Sequence, residues 1–222
     1  MKTIIGKQVK RYTAVFLLLN FTFMNVAYAV DPVITNIRTD GRTSTVINQS
    51  GNTYNIHTNT NVNDMGVNSF DKFNVGKDTT VNLNLLNNQN KLLNLIYDSS
   101  ASQIDGIVNS YKDGKIGGNV LFANPNGFVI GANGQLNVGA LTLMTPTRDT
   151  MDKLFFNGEV QTGAISALIS YEIDTDKYLK LWDGISKVGI NPNASIEING
   201  TIKSGNGIDL IAGKQVNISE TA

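Results

Sequence analysis

The chain has 222 residues, 18 basic and 18 acidic side chains, a single His and no Cys. Without cysteine there are no disulfide staples, no cysteine-ligated zinc, no thiol redox centre and no lipidation at an N-terminal Cys, so stability must come from packing and backbone hydrogen bonds. Twenty-nine Asn and 21 Gly against four Pro suit many short strands joined by tight turns rather than long helices.

The first eleven residues carry Lys2, Lys7, Lys10 and Arg11 with no acidic residue, and an apolar run follows from Tyr12 to Phe23. Ala27 and Ala29 then stand at the −3 and −1 positions of a signal-peptidase site, and the chain turns polar at Val30, Asp31 and Pro32. The run is far short of the ~20 residues a membrane-crossing helix needs. Residues 1–29 therefore read as a cleavable signal peptide and residues 30–222 as the mature domain. Cleavage leaves 14 basic and 18 acidic residues, a formal charge of −4, which argues against a nucleic-acid partner.

From Val33 to Val81 the chain runs in short β-branched pieces such as Thr43–Ile47 and Tyr54–Thr58, broken by Asn and Gly. In Thr80–Leu85 the apolar residues Val81, Leu83 and Leu85 share one face and Thr80, Asn82 and Asn84 the other. Next come Ser102–Ser110, Asn119–Ala123, Phe128–Ile130 and Gln135–Val138, separated by tight turns. Three short strands within about twenty residues is the spacing of one coil of a parallel β-helix, each coil covering the apolar face of the last. A β-sandwich gives the same alternation. The very short turns favour the solenoid, as does Asn at turn positions, where it tolerates left-handed backbone and can stack from coil to coil. The tail repeats the rhythm, with Ile196, Ile198, Ile202, Ile208, Leu210, Val216 and Ile218 predicted inside.

Between Thr147 and Lys187 the pattern breaks. Charges thicken at Arg148, Asp149, Asp152 and Lys153, and Phe155, Phe156, Tyr171, Tyr178 and Trp182 appear. The stretch reads as an insertion standing off the wall, mostly hairpin, with one helical turn at Asp176–Trp182; its aromatics suit a mini-core that pins the hairpin to the wall better than a glycan-binding surface.

Polysaccharide lyases and hydrolases also use parallel β-helices, but that chemistry wants paired carboxylates or a calcium cluster with a basic residue. Asp174 and Asp176 are the one dense acidic pair and read as a solvated face. His57 stands among Thr and Asn without a second ligand, and Asp113–Gly118 is a single glycine-rich stretch without a calcium-binding period. No catalytic residue, cofactor or metal is expected.

Asn124-Pro125-Asn126-Gly127 sits between two apolar segments and is built to turn. Asn124 can bond its own downstream backbone, Pro125 fixes φ, and Asn126 or Gly127 supplies a positive φ. With its flanks, Leu121-Phe122-Ala123 before and Phe128-Val129-Ile130-Gly131 after, then Gly134–Leu141 and Leu143–Thr147, it resembles the secretion domain of two-partner-secretion exoproteins, the filamentous haemagglutinin family. Ser102–Val108 resembles that family's lead-in, and Asn68–Val75 its early signature, carried here by Phe70, Phe73 and Asn74. Many members have an Asn-Pro-Asn-Leu motif a coil or two earlier; the nearest counterpart here, Asn88-Gln89-Asn90-Lys91, lacks the Pro and the Leu, and Asn191-Pro192-Asn193-Ala194 lies on the other side.

The resemblance implies an all-β fold, a right-handed parallel β-helix with an N-terminal cap and an extra-helical hairpin insertion. It implies Sec export, then recognition of Asn124–Phe128 by an outer-membrane β-barrel transporter with POTRA domains, and release to the cell surface or medium of a Gram-negative bacterium. Val216–Ile218 reads as an open strand, so the 222 residues are expected to be the front of a longer exoprotein, or a truncated product of its gene. Adhesin, toxin or haemolysin activity, and any host surface or glycan partner, would lie in the full-length protein. A self-contained adhesin is the alternative; an autotransporter passenger would need its own C-terminal barrel.

Overall fold

The computed structural model describes residues 32–169, 189–220 and 222. The signal-peptide segment with Ala27 and Ala29, and the helical turn expected at Asp176–Trp182, lie outside the described residues. The described chain is mostly β-strand with few helices, and its sheets are largely parallel.

Five strands open it: β1 (Asn36–Thr39), β2 (Thr45–Ser50), β3 (Thr53–Thr58), β4 (Asn61–Val62) and β5 (Met65–Asn74). β2 and β3 form an antiparallel hairpin, and β1 and β4 lie antiparallel to β5. Next come β6 (Thr80–Asn84), β7 (Lys91–Ile96), β8 (Ser102–Ile104), β9 (Ile107–Lys112), β10 (Lys115–Ile116), β11 (Asn119–Ala123), β12 (Phe128–Ile130), β13 (Gln135–Val138) and β14 (Ala140–Met144). The insertion carries helix α1 (Arg148–Asp152), strands β15 (Phe155–Phe156) and β16 (Glu159–Val160), and helix α2 (Thr162–Ile169). After it run β17 (Ser195–Ile198), β18 (Thr201–Ser204), β19 (Ile208–Ile211) and β20 (Gln215–Ile218).

These strands sort into three main sheets. The first has the order β1-β5-β7-β11-β14-β19, the second β18-β13-β9-β6-β3-β2, and the third β20-β17-β12-β8. From β7 on, the chain visits the first, third and second sheets in rotation, apart from the β9–β10 hairpin. Each early circuit returns over residues 26 to 28 positions back: Ser102 lies beside Phe128, Thr80 beside Ile107, and Ile107 beside Gln135. The next is shorter, Asn119 lying beside Ala140, 21 positions on. The extra residues of the long circuits sit at the corner between second and first sheets, as the β9–β10 hairpin does.

Alternation places the core between the sheets. Val81, Leu83, Val108, Val120, Phe122, Phe128, Ile130, Leu136, Leu143 and Ile196 belong to one buried cluster. Each large apolar side chain so buried contributes about 1.5–3 kcal/mol. Within it Phe70, Phe73, Phe122 and Phe128 form a row with ring centroids 5.2, 5.4 and 6.4 Å apart. Of the predicted tail core, Ile196 and Ile198 are buried and Ile202 and Leu210 partly so. Ile208, Val216 and Ile218 are instead exposed, because β19 and β20 are the end strands of their sheets and no further strand among the described residues covers them.

Asparagine stacks from circuit to circuit as expected at turns, where Asn126 and Asn191 donate to Asp98 O and Pro125 O, and it does so from strands as well. On the second sheet the amides of Asn82, Asn109 and Asn137 each donate to the amide oxygen one circuit back, on Asn55, Asn82 and Asn109, at 3.0, 3.1 and 2.8 Å. Among the described asparagines only Asn63 and Asn157 have left-handed backbone. At the corner from third to second sheet the circuits meet backbone to backbone: a Cβ on Gly106 would collide with the carbonyl of Gly76, and one on Gly200 with that of Gly134.

The described part of the insertion lies on the wall instead of standing off it, and is more helix than hairpin. Met151, Leu154, Ile165 and Leu168 are buried against Val67, Leu93, Leu95, Ala123 and Met144 on the outer face of the first sheet. That face is apolar, so leaving it bare would expose it to water. The chain leaves and returns through an antiparallel stem, Thr147 N donating to Gly189 O at 2.6 Å and Asn191 N to Thr145 O at 2.8 Å.

Candidate functional site

The corner from first to third sheet is where the Asn124–Gly127 turn falls, between β11 and β12. Asn124 is fully buried and every polar atom it has is used. Its backbone N–H donates to Met144 O at 3.1 Å and its carbonyl accepts from Gly127 N at 3.1 Å, closing the turn. Its side-chain oxygen accepts from Asn126 N at 2.9 Å, the local bond expected of an Asn at this position. Its side-chain nitrogen reaches back one circuit, donating to Ser100 O at 3.2 Å and Ser102 Oγ at 3.0 Å. Gly127 supplies the positive φ, at 97°, and a Cβ there would also strike the carbonyl of Ser195. Pro125 and Phe128 are buried and Asn126 half-buried.

The same turn is built on either side. One circuit earlier Asp98 takes the Asn124 role, its Oδ1 accepting from Ser100 N at 3.1 Å and Oγ at 3.0 Å. Its carbonyl accepts from the Asn126 amide at 2.7 Å, and its nearly buried carboxylate lies 2.9 Å from Lys72 Nζ. One circuit later the residues are Asn191-Pro192-Asn193-Ala194. Asn191 Oδ1 accepts from Asn193 N at 3.0 Å, its carbonyl accepts from Ala194 N at 3.2 Å, and its amide donates to the Pro125 carbonyl at 2.6 Å. Three Asx turns thus form a ladder with the predicted motif as its middle rung.

The early signature joins this site through the core. Phe70 and Phe73 stand at one end of the aromatic row and Phe128, the residue after the turn, at the other, with Phe122 between. Asn74 Oδ1 accepts from Gln103 N at 3.0 Å and so ties β5 to β8. Gln89, in the segment compared with Asn-Pro-Asn-Leu, is buried and clamps its own turn: Oε1 accepts from Leu86 N at 2.9 Å and Nε2 donates to Thr58 O at 3.0 Å. Asp113 and Gly114 form the turn of the β9–β10 hairpin, both left-handed. His57 is a half-buried residue of β3.

Two members of the site carried no weight in the sequence reading. Asp98 had no motif around it; Asn191 had the right motif but no assigned place. A third feature ties the insertion to the N-terminal strands. The guanidinium of Arg42 lies 3.4 Å from the Tyr97 ring centroid and 4.7 Å from that of Phe155. Arg148 donates to Tyr97 O at 2.9 Å, and the Tyr97 hydroxyl donates to Met151 O at 2.7 Å. Burial pushes the Tyr97 phenol well above its ordinary range, so it stays a donor at every physiological pH.

A family model described as the TPS secretion domain matches residues 35–221, which takes in all three rungs of the turn ladder and the aromatic row. The chain belongs to that family. TPS secretion domains are the secretion domains of two-partner-secretion exoproteins of Gram-negative bacteria, carried across the outer membrane with a partner transporter. No curated protein gives a significant match to the chain.

Proposed function

We propose that residues 30–222 are the N-terminal secretion-recognition and folding-nucleation domain of a larger adhesin- or haemagglutinin-type exoprotein, preceded by the cleavable signal peptide 1–29 that directs Sec export. In this reading the three sheets wind as a right-handed parallel β-helix. An outer-membrane barrel with periplasmic POTRA domains reads the Asn124–Phe128 segment, and the domain is non-catalytic. The observation that carries the reading is the burial of the motif: Asn124 is enclosed, with partners on the circuits before and after it. A buried turn is no landing surface on the folded domain. It is available to a partner while the chain is extended, when a strand can add to a sheet edge and alternate side chains give selectivity. Once across, the same residues lock the corner, and each circuit becomes the template for the next.

The test is secretion by the whole exoprotein together with its transporter. Asn124→Ile removes the donor to Ser102 and the acceptor for Asn126 while keeping bulk. The expected result is loss of the protein from the culture medium with retention in the periplasm; undiminished secretion would sink the assignment of the motif.

A further inference from the structure

Every parallel rung of the stack meets its earlier neighbour 20 to 29 positions back except where the chain crosses the insertion. There Asn191 meets Pro125 across 66 positions, and Ile196 meets Phe128, Thr201 meets Gln135 and Ile208 meets Leu141 at comparable separations. The Asn124–Gly127 turn is the corner on that seam. Below it, Asn124 and Asn126 bond residues 22 to 28 positions earlier. Above it, Asn191 donates to the Pro125 carbonyl and Ser195 lies against Gly127.

We propose that the circuit sealing this corner, with β20 added to it, closes after all the circuits before the insertion. A chain entering from its N-terminus completes β5 to β14 first. The turn and the edges of β12, β13 and β14 then stay uncovered until the segment after the insertion docks, with Asn191 as the latch. Loop-closure entropy acts in the same direction, since with β14 in place the chain from Thr145 to Asn191 still closes over 46 positions, about twofold less readily than a loop of 27. The antiparallel stem fixes the register of delivery, placing Asn191 N on Thr145 O and the Asn191 amide over Pro125. The half-wound stack is the state in which a transporter can reach the motif; this consequence rests on the function proposed above, whereas the folding order does not.

The order is read by pulse-labelled hydrogen exchange on the purified mature chain as it refolds. Early reporters are the amides of Ser102, Asn119 and Gln135, bonded to Gly127 O, Asn90 O and Gly106 O. Late reporters are those of Asn191, Asn199 and Thr201, bonded to Thr145 O, Ile130 O and Gly134 O. The late set is expected to gain protection at least about twofold more slowly in the wild-type chain. Asn191→Asp keeps the acceptor for Asn193 N and loses only the donor to Pro125. It should slow the late set further and leave the early set unchanged. Simultaneous protection of both sets in the wild-type chain overturns the proposal and leaves the secretion reading standing. Secretion of Asn124→Ile does the reverse.

Discussion

Asparagine is used in two opposite environments in this molecule. At the corner between first and third sheets Asn124 is sealed between circuits, with its amide shared between a carbonyl, a hydroxyl and its own turn. On the outer face of the second sheet Asn55, Asn82, Asn109 and Asn137 form a half-buried row with one amide bond per step. The bonds are of similar length, and all but the local one to Asn126 reach 22 to 28 positions along the chain. What differs is the alternative to each bond, which for the outer row is water and for the buried bond from Asn124 to Ser102 is nothing. Deleting one partner in a dry site strands the others unpaired, whereas water replaces what is lost at a wet one.

That difference predicts the largest effect for Asn124→Ala. The change strands the buried Ser102 Oγ, takes a partner from the half-buried Asn126 N and the Ser100 carbonyl, and empties the fully buried space of the Asn124 amide; it is expected to cost about 2–4 kcal/mol. Urea unfolding of the mature domain measures it, with an unchanged slope showing that stability and not compactness has moved. A loss below about 1 kcal/mol would mean that water enters the corner and the contrast is false.

Much of the corner was legible before the structure, and what was missed has a physical cause. The Asn124 turn, its side-chain bond to the backbone two residues on and the left-handed Gly127 are local, and four residues encode them. The strand alternation that buries Phe122, Phe128, Leu136 and Val138 is equally local. Asp98 and Asn191 are rungs only because of registers at 26 and 66 positions, which depend on the lengths of everything between. Asn191-Pro192-Asn193 was visible as a repeat of the motif, yet no short-range signal places it over Pro125. The packing of the insertion did leave a trace: in Lys91–Ile96 the residues Leu92 and Ile96 face the core while Leu93 and Leu95 face the other way. A strand apolar on both faces is a strand covered on both faces. Asn157-Gly158, both left-handed, is a hairpin turn of the kind expected, but Ile165 and Leu168 belong to a helix that the hairpin reading displaced.

The outer row should respond far less. Asn109→Ala removes one donor and one acceptor from the middle of the ladder, and the stranded amides of Asn82 and Asn137 remain half-exposed to solvent. The expected loss is about 0.5–1.5 kcal/mol, well under that at the corner. Measuring both variants in one unfolding series sharpens the contrast. Equal losses would show that the ladder, not the burial, sets the cost.

The smallest effect is expected where a polar group on an outer face has no ladder. Asp209 of β19 lies beside Thr142 of β14, and partial burial raises its carboxyl above the usual range while the bond from Thr142 opposes the shift. A carboxyl raised in the folded state favours folding while it is protonated. That contribution is fully present below the unfolded value and is lost as pH rises through the folded one. Asp209→Asn should therefore match the wild type in acid and become the more stable of the two towards neutrality. Because the group is largely exposed, the gain is screened to about 0.5 kcal/mol or less. Thermal midpoints of the two proteins between acid and neutral pH read this directly. Curves that diverge in acid and meet at neutrality would reverse the sign and show that the ionised form is the one the fold prefers.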